Sequence, residues 1–230
     1  MKPGEINSQL TIPPEDSASP IKSNEAEFIY NFLKEKRLSK TLETGFAYAK
    51  SASHIMAATR SRHIAIDPFQ ERYQYLGKEN IKALDLDHFL ELHEDYSHQV
   101  LPKLLDRKEK FDFIFIDGDH KFDGIFVDFY YTDLLLEKGG YILLHDTWMR
   151  STQLVIAFIK KNRKDYLYQK TPCRNFALFQ KVSEDDRNGM HYKEFFTLKA
   201  TFSHRLINWM TTGKKSAFKR MVFSMKEKLK

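Results

Sequence analysis

The most restrictive feature of the sequence is a short, largely apolar run, Phe111–Ile116 (FDFIFI), that leads directly into Asp117. A run of this length, rich in aromatic and β-branched residues and stopped by Asp-Gly, predicts a buried β-strand. Similar runs recur along the chain and are predicted as strands at 41–44, 63–67, 89–93, 141–144, 166–170 and 175–181. The last two are predicted to form a closing antiparallel pair.

Segments with helical periodicity fill the intervals between these runs. Helices are predicted from Asn24, with Glu27 completing a capping box, and at 51–60, 71–84, 97–105, 122–136 and 152–162. Strands that alternate with helices indicate a parallel sheet with helices on both faces. The predicted fold class is therefore α/β: a doubly wound, mostly parallel seven-stranded sheet with an antiparallel closing strand.

The chain has 230 residues, which is within the range of one large α/β domain. We expect a flexible N-terminal arm over residues 1–24, a main domain over residues 25–182, and a basic, partly helical extension over residues 183–230. The single cysteine, Cys173, excludes an internal disulfide framework. The sequence has neither a signal peptide nor an apolar run of about 18 residues, so the expected location is the cytoplasm.

The positive charge is concentrated in the C-terminal extension. Residues 191–230 carry ten Lys or Arg and two Asp or Glu, whereas the first 190 residues are slightly acidic. An acidic body makes nucleic acid an unfavoured partner, because such partners need clustered basic residues. Five apolar residues share one helical face of the extension: Phe218, Met221, Val222, Met225 and Leu229. This face fits a peripheral membrane contact, or packing on the body or on a second chain of a homo-oligomer.

Polar residues follow the predicted strands, where parallel sheets hold their ligands. Gly45 permits a sharp turn after the first strand, and Ser51 lies at the start of the next helix, where a carboxylate or phosphate is favoured. Asp67 ends the second strand and can accept hydrogen bonds from ribose hydroxyls. This spacing predicts a nucleoside site, although a lone glycine after a strand is also compatible with an ordinary turn. Neither G-x-G-x-x-G nor a P-loop is present.

A second group of candidate residues follows the fourth and fifth strands. Asp117 and Asp146 are predicted to lie side by side, with His145 next to them, and this group could hold a divalent metal such as Mg²⁺ or Mn²⁺. The alternative is that Asp119 and Asp146 only cap helices. His120 could accept a proton from a hydroxyl as a general base. Trp148 and Trp209 are expected to be buried rather than to line a substrate site.

These residues resemble the class I S-adenosylmethionine-dependent methyltransferases. The turn Glu43-x-Gly45-x-x-x-Ala49-x-Ser51 is similar to that of catechol-type O-methyltransferases, with Ala49 in place of a second glycine. The strand ends IDGDH and GGYILLHD, together with IDPFQ at 66–70, are closer to the branch of cephalosporin-hydroxylase-like proteins and macrolide-sugar O-methyltransferases. The resemblance covers residues 25–181 and implies a Rossmann-like fold that binds S-adenosylmethionine.

The resemblance also implies roles for individual residues. It places the methionine part of the cofactor along Glu43, Gly45 and Tyr48, with Ser51 at its carboxylate. It places the ribose at Asp67, the adenine between Asp95 and Tyr96, and Asp117 in the cofactor site. A metal would be held by Asp117, His145 and Asp146, with His120 as the base.

The function expected from the sequence is O-methylation of a hydroxyl on a sugar or another small molecule, with assistance from a divalent metal left open. Two alternatives belong to other classes. The chain could be a non-catalytic binding or scaffolding protein that keeps the fold, or an RNA methyltransferase that uses its basic C-terminal extension.

Overall fold

A computed structural model of the chain describes residues 1–188. Within this range, seven strands and seven α-helices alternate. The strands are β1 (Thr41–Thr44), β2 (His63–Ile66), β3 (Leu90–His93), β4 (Phe111–Ile116), β5 (Leu136–Leu144), β6 (Tyr166–Gln169) and β7 (Ala177–Lys181). The helices are α1 (Pro3–Gln9), α2 (Ser23–Lys36), α3 (Lys50–Thr59), α4 (Leu76–Ala83), α5 (Ser97–Asp106), α6 (Phe122–Leu135) and α7 (Arg150–Asn162), with short 3₁₀ helices at Pro14–Asp16 and Asp87–Phe89.

The strands form one sheet in the order β3-β2-β1-β4-β5-β7-β6. β7 runs antiparallel to both of its neighbours, and the other neighbouring pairs are parallel. The predicted α/β class is therefore confirmed: a mostly parallel, Rossmann-like sheet closed by an antiparallel strand. The order reverses at β1, where the chain crosses from β3 on one side to β4 on the other. Open α/β sheets bind their ligands at such a reversal.

The strand register aligns the carboxyl ends of the central strands. Thr44 pairs with both Ile66 and Ile116, and Ile116 pairs with Leu144. The residues that follow these strands therefore lie along one edge: Gly45, Asp67, Asp117 and His145.

Each face of the sheet carries its own layer of helices, because side chains alternate between the two faces along a strand. Leu42, Ile114 and Ile142 pack with residues of α5, α6 and α7 on one face. Phe113 and Phe115 pack with residues of α2 and α3 on the other. Full burial of one such side chain contributes about 1.5–3 kcal/mol. These two layers fix the strand ends in place.

The N-terminal segment is folded, which differs from the flexible arm predicted for residues 1–24. Ile6 of α1 is completely buried against Tyr30 and Met56. The Asn80 side chain also accepts a hydrogen bond from the Thr11 backbone N–H (2.7 Å) and donates one to the Thr11 carbonyl (3.0 Å). The composition of this segment predicts a loose arm, but its few apolar residues pack against α2 and α3.

Several element boundaries also differ from the sequence predictions. Helix α2 begins after Lys22, whose backbone N–H donates to the Glu25 side chain (2.7 Å), so the predicted Asn24–Glu27 box lies two residues too late. β5 begins at Leu136 and includes Gly139, whose φ of 91° marks an irregular pairing with β4. The strand is therefore longer than the predicted 141–144.

No helix within residues 1–188 combines the length and apolar character that a membrane span requires. The proposed membrane-surface helix, its apolar face and Trp209 lie outside the described residues, as does most of the predicted extension 183–230.

Candidate active site

A cavity of about 570 Å³ opens at the carboxyl ends of the central strands. Its wall includes the turn after β1, the turn after β2, the start of α5 and the segment that joins β4 to α6. Ser19, Pro20 and Ile21 of the N-terminal segment form a further part of the wall. This is the position at which open α/β sheets bind ligands, and the volume suits a small molecule.

Gly45 allows the turn after β1 to pass close to the end of β4. Its φ is 91°, a left-handed conformation that favours glycine. A β-carbon at this position would lie 2.4 Å from the carbonyl oxygen of Asp117. Gly45 therefore has the sharp turn that the sequence predicted, and the close approach of two backbones explains why a side chain does not fit there.

Asp67 lies in the cavity wall and organises the β1 turn. Its Oδ2 accepts hydrogen bonds from the backbone N–H groups of Phe46 (3.0 Å) and Ala47 (2.7 Å) and from the Gln70 side chain (3.2 Å). Its Oδ1 accepts one from the Phe69 backbone (2.8 Å). A carboxylate oxygen has two lone pairs, so Oδ1 keeps capacity for one ligand hydroxyl.

The N-terminus of α3 faces the same cavity. Ser51 and Lys50 line it, and unpaired N–H groups at a helix start favour an anionic ligand group. Ala49 precedes the helix with φ 62°, a left-handed conformation like that of a glycine. Tyr48 also lines the cavity, and its hydroxyl donates a hydrogen bond to Asp16. Burial and this contact raise the pKa of Tyr48 to about 12.

Glu43 does not line the cavity, and its predicted place along the cofactor stays a prediction. Its side chain is completely buried, with Oε1 3.5 Å from Nε2 of His63. Burial raises the pKa of the Glu43 carboxyl. Side chains alternate along β1, so Glu43 points to the face opposite that of Thr44, toward His63 and Ser51.

Only one of the two residues predicted to flank an adenine lines the cavity. Tyr96 does so, with its ring 6.0 Å from that of Phe69 in an edge-to-face arrangement. Asp95 instead borders a separate depression, with Oδ2 3.8 Å from Nζ of Lys103. The backbone turns between the two residues, so neighbours in the sequence face different surfaces.

His120 and Asp146 form a pair at the edge of the cavity. Nε2 of His120 lies 3.0 Å from Oδ2 of Asp146, and both residues line the cavity. The hydrogen bond to Asp146 raises the pKa of His120. Burial alone would raise the pKa of Asp146, but the contacts with His120 and His145 outweigh it and lower that pKa. The arrangement resembles the His–Asp pairs that move protons in enzymes.

His145 lies beneath this pair and does not reach the cavity. Its Nδ1 is 2.8 Å from Oδ1 of Asp117, and its Nε2 is 3.4 Å from Oε2 of Glu25 and 2.8 Å from the Asn175 amide. Burial alone would lower the pKa of His145, but Asp117 and Glu25 outweigh it and raise the pKa to about 10. His145 is therefore a buried imidazole between the Asp117 and Glu25 carboxylates, which favour its charged form.

His145 also lies next to its predicted metal partners, with Nδ1 2.8 Å from Oδ1 of Asp117 and 3.5 Å from Oδ1 of Asp146. A protonated imidazole has no lone pair for a metal. The structure also brings together Asp117, His120 and Asp146, each with one ligand atom within 4.8 Å of the others. Two carboxylates and one imidazole form a donor set that fits a divalent cation such as Mn²⁺. The set predicted from the sequence, Asp117, His145 and Asp146, stays a prediction beside this one.

Three further residues of the site were missed or misjudged from the sequence. Glu25 was not considered because its partner His145 is 120 positions away in the chain. Asp128 lines the cavity and is only 1% exposed; the signal for it was a lone acid in the apolar stretch 125–131. Trp148 is 69% exposed rather than buried, and its Nε1 donates to Asp146 (3.0 Å).

Residues 42–147 match a family model described as a methyltransferase domain. A search of curated protein sequences gave no match.

Several solved structures share the fold. One is the O-methyltransferase TomG from Streptomyces achromogenes, which is involved in tomaymycin synthesis and was solved with S-adenosylmethionine. Its sequence is 16% identical and its TM-score is 0.62, and the match covers 71% of this chain and 82% of TomG. An O-methyltransferase from Bacillus cereus in complex with S-adenosylhomocysteine is 16% identical, with a TM-score of 0.60 over 77% and 86%. The S-adenosylhomocysteine-bound methyltransferase PaMTH1 from Podospora anserina is 14% identical, with a TM-score of 0.63 over 78% and 87%. Residues 42–147 therefore match a methyltransferase-domain model, and the chain has the fold of these solved methyltransferases.

Proposed function

We propose that the protein methylates a hydroxyl group on a sugar or another small molecule, with S-adenosylmethionine as the methyl donor. The observation that carries this proposal is the position of the His120–Asp146 pair at the edge of the 570 Å³ cavity. A proton acceptor is thus held beside a space that suits a nucleoside cofactor. Related folds bind this cofactor or its product in the TomG and Bacillus cereus structures.

The cavity offers the groups that such a cofactor requires. The start of α3, with Lys50 and Ser51, would receive the carboxylate of its methionine part. The free lone pair on Oδ1 of Asp67 would accept a hydrogen bond from one ribose hydroxyl. The rings of Phe69 and Tyr96 present apolar faces for the base.

When bound, S-adenosylmethionine supplies a methyl group on a positively charged sulfur, which leaves as a neutral thioether. The task of the protein is to align the acceptor oxygen and to remove its proton. Alignment can lower the barrier by up to about 7–11 kcal/mol. If Nε2 of His120 donates to Asp146, Nδ1 keeps the lone pair that takes the hydroxyl proton. Asp146 orients the ring and stabilises its charged form.

The acceptor would enter beside Trp148, whose exposed indole is anchored to Asp146. An exposed aromatic ring next to a proton acceptor suits the apolar face of a sugar ring or of another small molecule.

The direct test is a panel of sugar and phenolic hydroxyl compounds incubated with S-adenosylmethionine, with S-adenosylhomocysteine measured as the product. We expect product with at least one acceptor and its loss in His120→Gln. Calorimetry gives the affinity for S-adenosylhomocysteine separately. Tight binding without turnover across the panel would favour a non-catalytic binding protein, and the absence of binding would overturn the proposal.

A divalent cation is the second candidate for the group that activates the acceptor hydroxyl. The observation in its favour is the close approach of Asp117, His120 and Asp146. A bound cation would lower the pKa of the acceptor hydroxyl and orient it. The two assignments compete, because a neutral imidazole has one lone pair for either a metal or a proton. Turnover that survives dialysis against EDTA supports His120 as the base; turnover restored only by Mg²⁺ or Mn²⁺ supports the cation.

A further inference from the structure

Asp128 is a buried acid in the wall of the cavity, and its carboxyl has no hydrogen-bond partner among the described residues. It lies on α6, lines the cavity and is 1% exposed. Neither of its carboxyl oxygens accepts a hydrogen bond from any of residues 1–188. Buried polar groups are nearly always paired, because an unpaired one loses its hydration without compensation. An unpaired carboxyl in a cavity wall therefore indicates a ligand that donates to it.

The surroundings of Asp128 define the group that it can meet. Ser97 and Thr44 are close enough to stabilise its charged form, but neither closes a hydrogen bond. Thr44 Oγ1 is itself buried and without a partner among the described residues. Burial raises the pKa of Asp128 to about 6, so the carboxyl is mostly ionised at neutral pH and accepts hydrogen bonds rather than donating them.

Aromatic residues mark this part of the cavity as the place for a planar ring. Tyr96 directly precedes Ser97, and its ring contacts both His98 and Phe69. The anion-binding start of α3 belongs to the opposite face of the sheet, since α3 packs with α2, whereas α6, the helix that carries Asp128, packs with α5. Because the start of α3 and Asp128 line the same cavity, we place the base of a cofactor whose carboxylate lies at α3 toward Asp128.

We propose that Asp128 reads the nucleobase of the cofactor by accepting a hydrogen bond from its exocyclic amino group. This inference rests on the proposed function, because it assumes that the cavity holds an adenosine cofactor. It replaces Asp95 as the acid near the base. This role is one of specificity. A base with a carbonyl in place of the amino group would place its oxygen, a hydrogen-bond acceptor, against the carboxylate of Asp128, which also accepts. The buried carboxylate would then stay unpaired, and the base would bind less tightly.

The experiment compares S-adenosylhomocysteine with S-inosyl-L-homocysteine, which differs by a carbonyl in place of the amino group. Calorimetry is performed on the wild-type chain, on Asp128→Asn and on the control Asp106→Asn, which removes an exposed charge from the end of α5. We expect the wild type and the control to prefer the adenosyl compound by at least about tenfold. The preference should fall to within about twofold in Asp128→Asn, because an amide can either donate or accept.

Two outcomes would overturn the inference: a wild type that binds both compounds equally, or an Asp128→Asn variant that keeps the wild-type ratio. Thermal melting of each variant without ligand establishes that it is folded. A wild-type chain that binds neither compound would instead overturn the proposed function, and this inference with it.

Discussion

Gly45 and Asp117 approach each other so closely that a β-carbon on Gly45 would lie 2.4 Å from the carbonyl oxygen of Asp117. This contact joins the turn after β1 to the end of β4. It holds the wall of the proposed cofactor site against the strand end that carries the candidate proton-transfer residues.

Gly45→Ala should therefore disrupt the site, and Gly139→Ala provides the matched control. Both glycines have φ of 91°, but a β-carbon on Gly139 meets no described atom within 4 Å. The left-handed conformation alone costs an alanine about 1–2 kcal/mol, and we expect that loss of stability at Gly139. At Gly45 the backbone clash adds to it. Denaturant unfolding should show a larger loss of stability for Gly45→Ala than for Gly139→Ala, and calorimetry should show weakened cofactor binding for Gly45→Ala alone. Equal losses of stability in the two variants would contradict the role of the contact.

His120→Gln should lower turnover without changing cofactor affinity. Loss of a general base typically reduces the rate by about 10²–10⁴-fold. The affinity for S-adenosylhomocysteine should change little, because His120 acts on the acceptor. His88→Gln, an exposed histidine outside the cavity lining, is the control. Steady-state kinetics and calorimetry check the prediction, and an unchanged kcat would remove His120 from the mechanism.

His145→Gln should destabilise the fold by about 3 kcal/mol or more, because it leaves the Asp117 and Glu25 carboxylates without their cation. The added change Glu25→Gln should restore part of this loss in a double-mutant cycle. The folded pKa of about 10 lies above the usual value of about 6.5. The His145 contribution is therefore complete below about pH 6.5 and disappears as the pH rises through about 10. Equal stability of the single and double variants would argue against the pairing with Glu25.

Asp128→Asn should stabilise the ligand-free chain above about pH 6. The folded pKa of Asp128 is about 6, raised by burial and by Asp119 against the opposing effect of Ser97, Thr44 and His98. A raised acid pKa lowers stability as the pH increases from about 4 to about 6. A shift of about two units corresponds to at most about 3 kcal/mol, which the amide variant should recover. Denaturant unfolding of the wild type and Asp128→Asn at pH 4 and pH 7.5 measures this gain in stability. A gain that is equal at the two pH values would contradict the raised pKa of Asp128.

The sequence predicted the sheet well because its signal is local. Phe111–Ile116 is a strand with the predicted ends, and the closing pair β6–β7 is antiparallel as expected. The start of α2 was predicted two residues too late. The helix is capped at Lys22 because the backbone N–H of Lys22 donates to the Glu25 side chain, and the Lys22 side chain itself gives no capping signal in the sequence. The packing of Ile6 depends on a surface made by α2 and α3, which no local pattern reveals.

The candidate site was predicted at the level of strand ends but not of side-chain direction. Adjacent residues point to opposite sides of a strand, so Glu43 lies on the other face of β1 from Thr44, buried beside His63. The roles of His120 and His145 depend on which one is enclosed by carboxylates, and Glu25 reaches His145 only through the packing of α2 against the sheet. The sequence marks Asp128 only as a lone acid in the apolar stretch 125–131, whereas its burial without a hydrogen-bond partner is a property of the folded chain.

The folded N-terminal segment has a practical consequence for any shortened version of this protein. The family match begins at residue 42, and trimming to a point just ahead of it would look harmless from the sequence. Such a version would lose Ser19–Ile21 from the cavity wall, Asp16 from its contact with Tyr48, and Glu25 from beneath His145. Inactivity of a trimmed enzyme would then report a damaged binding site, and screening for the natural acceptor should begin with the intact N-terminus.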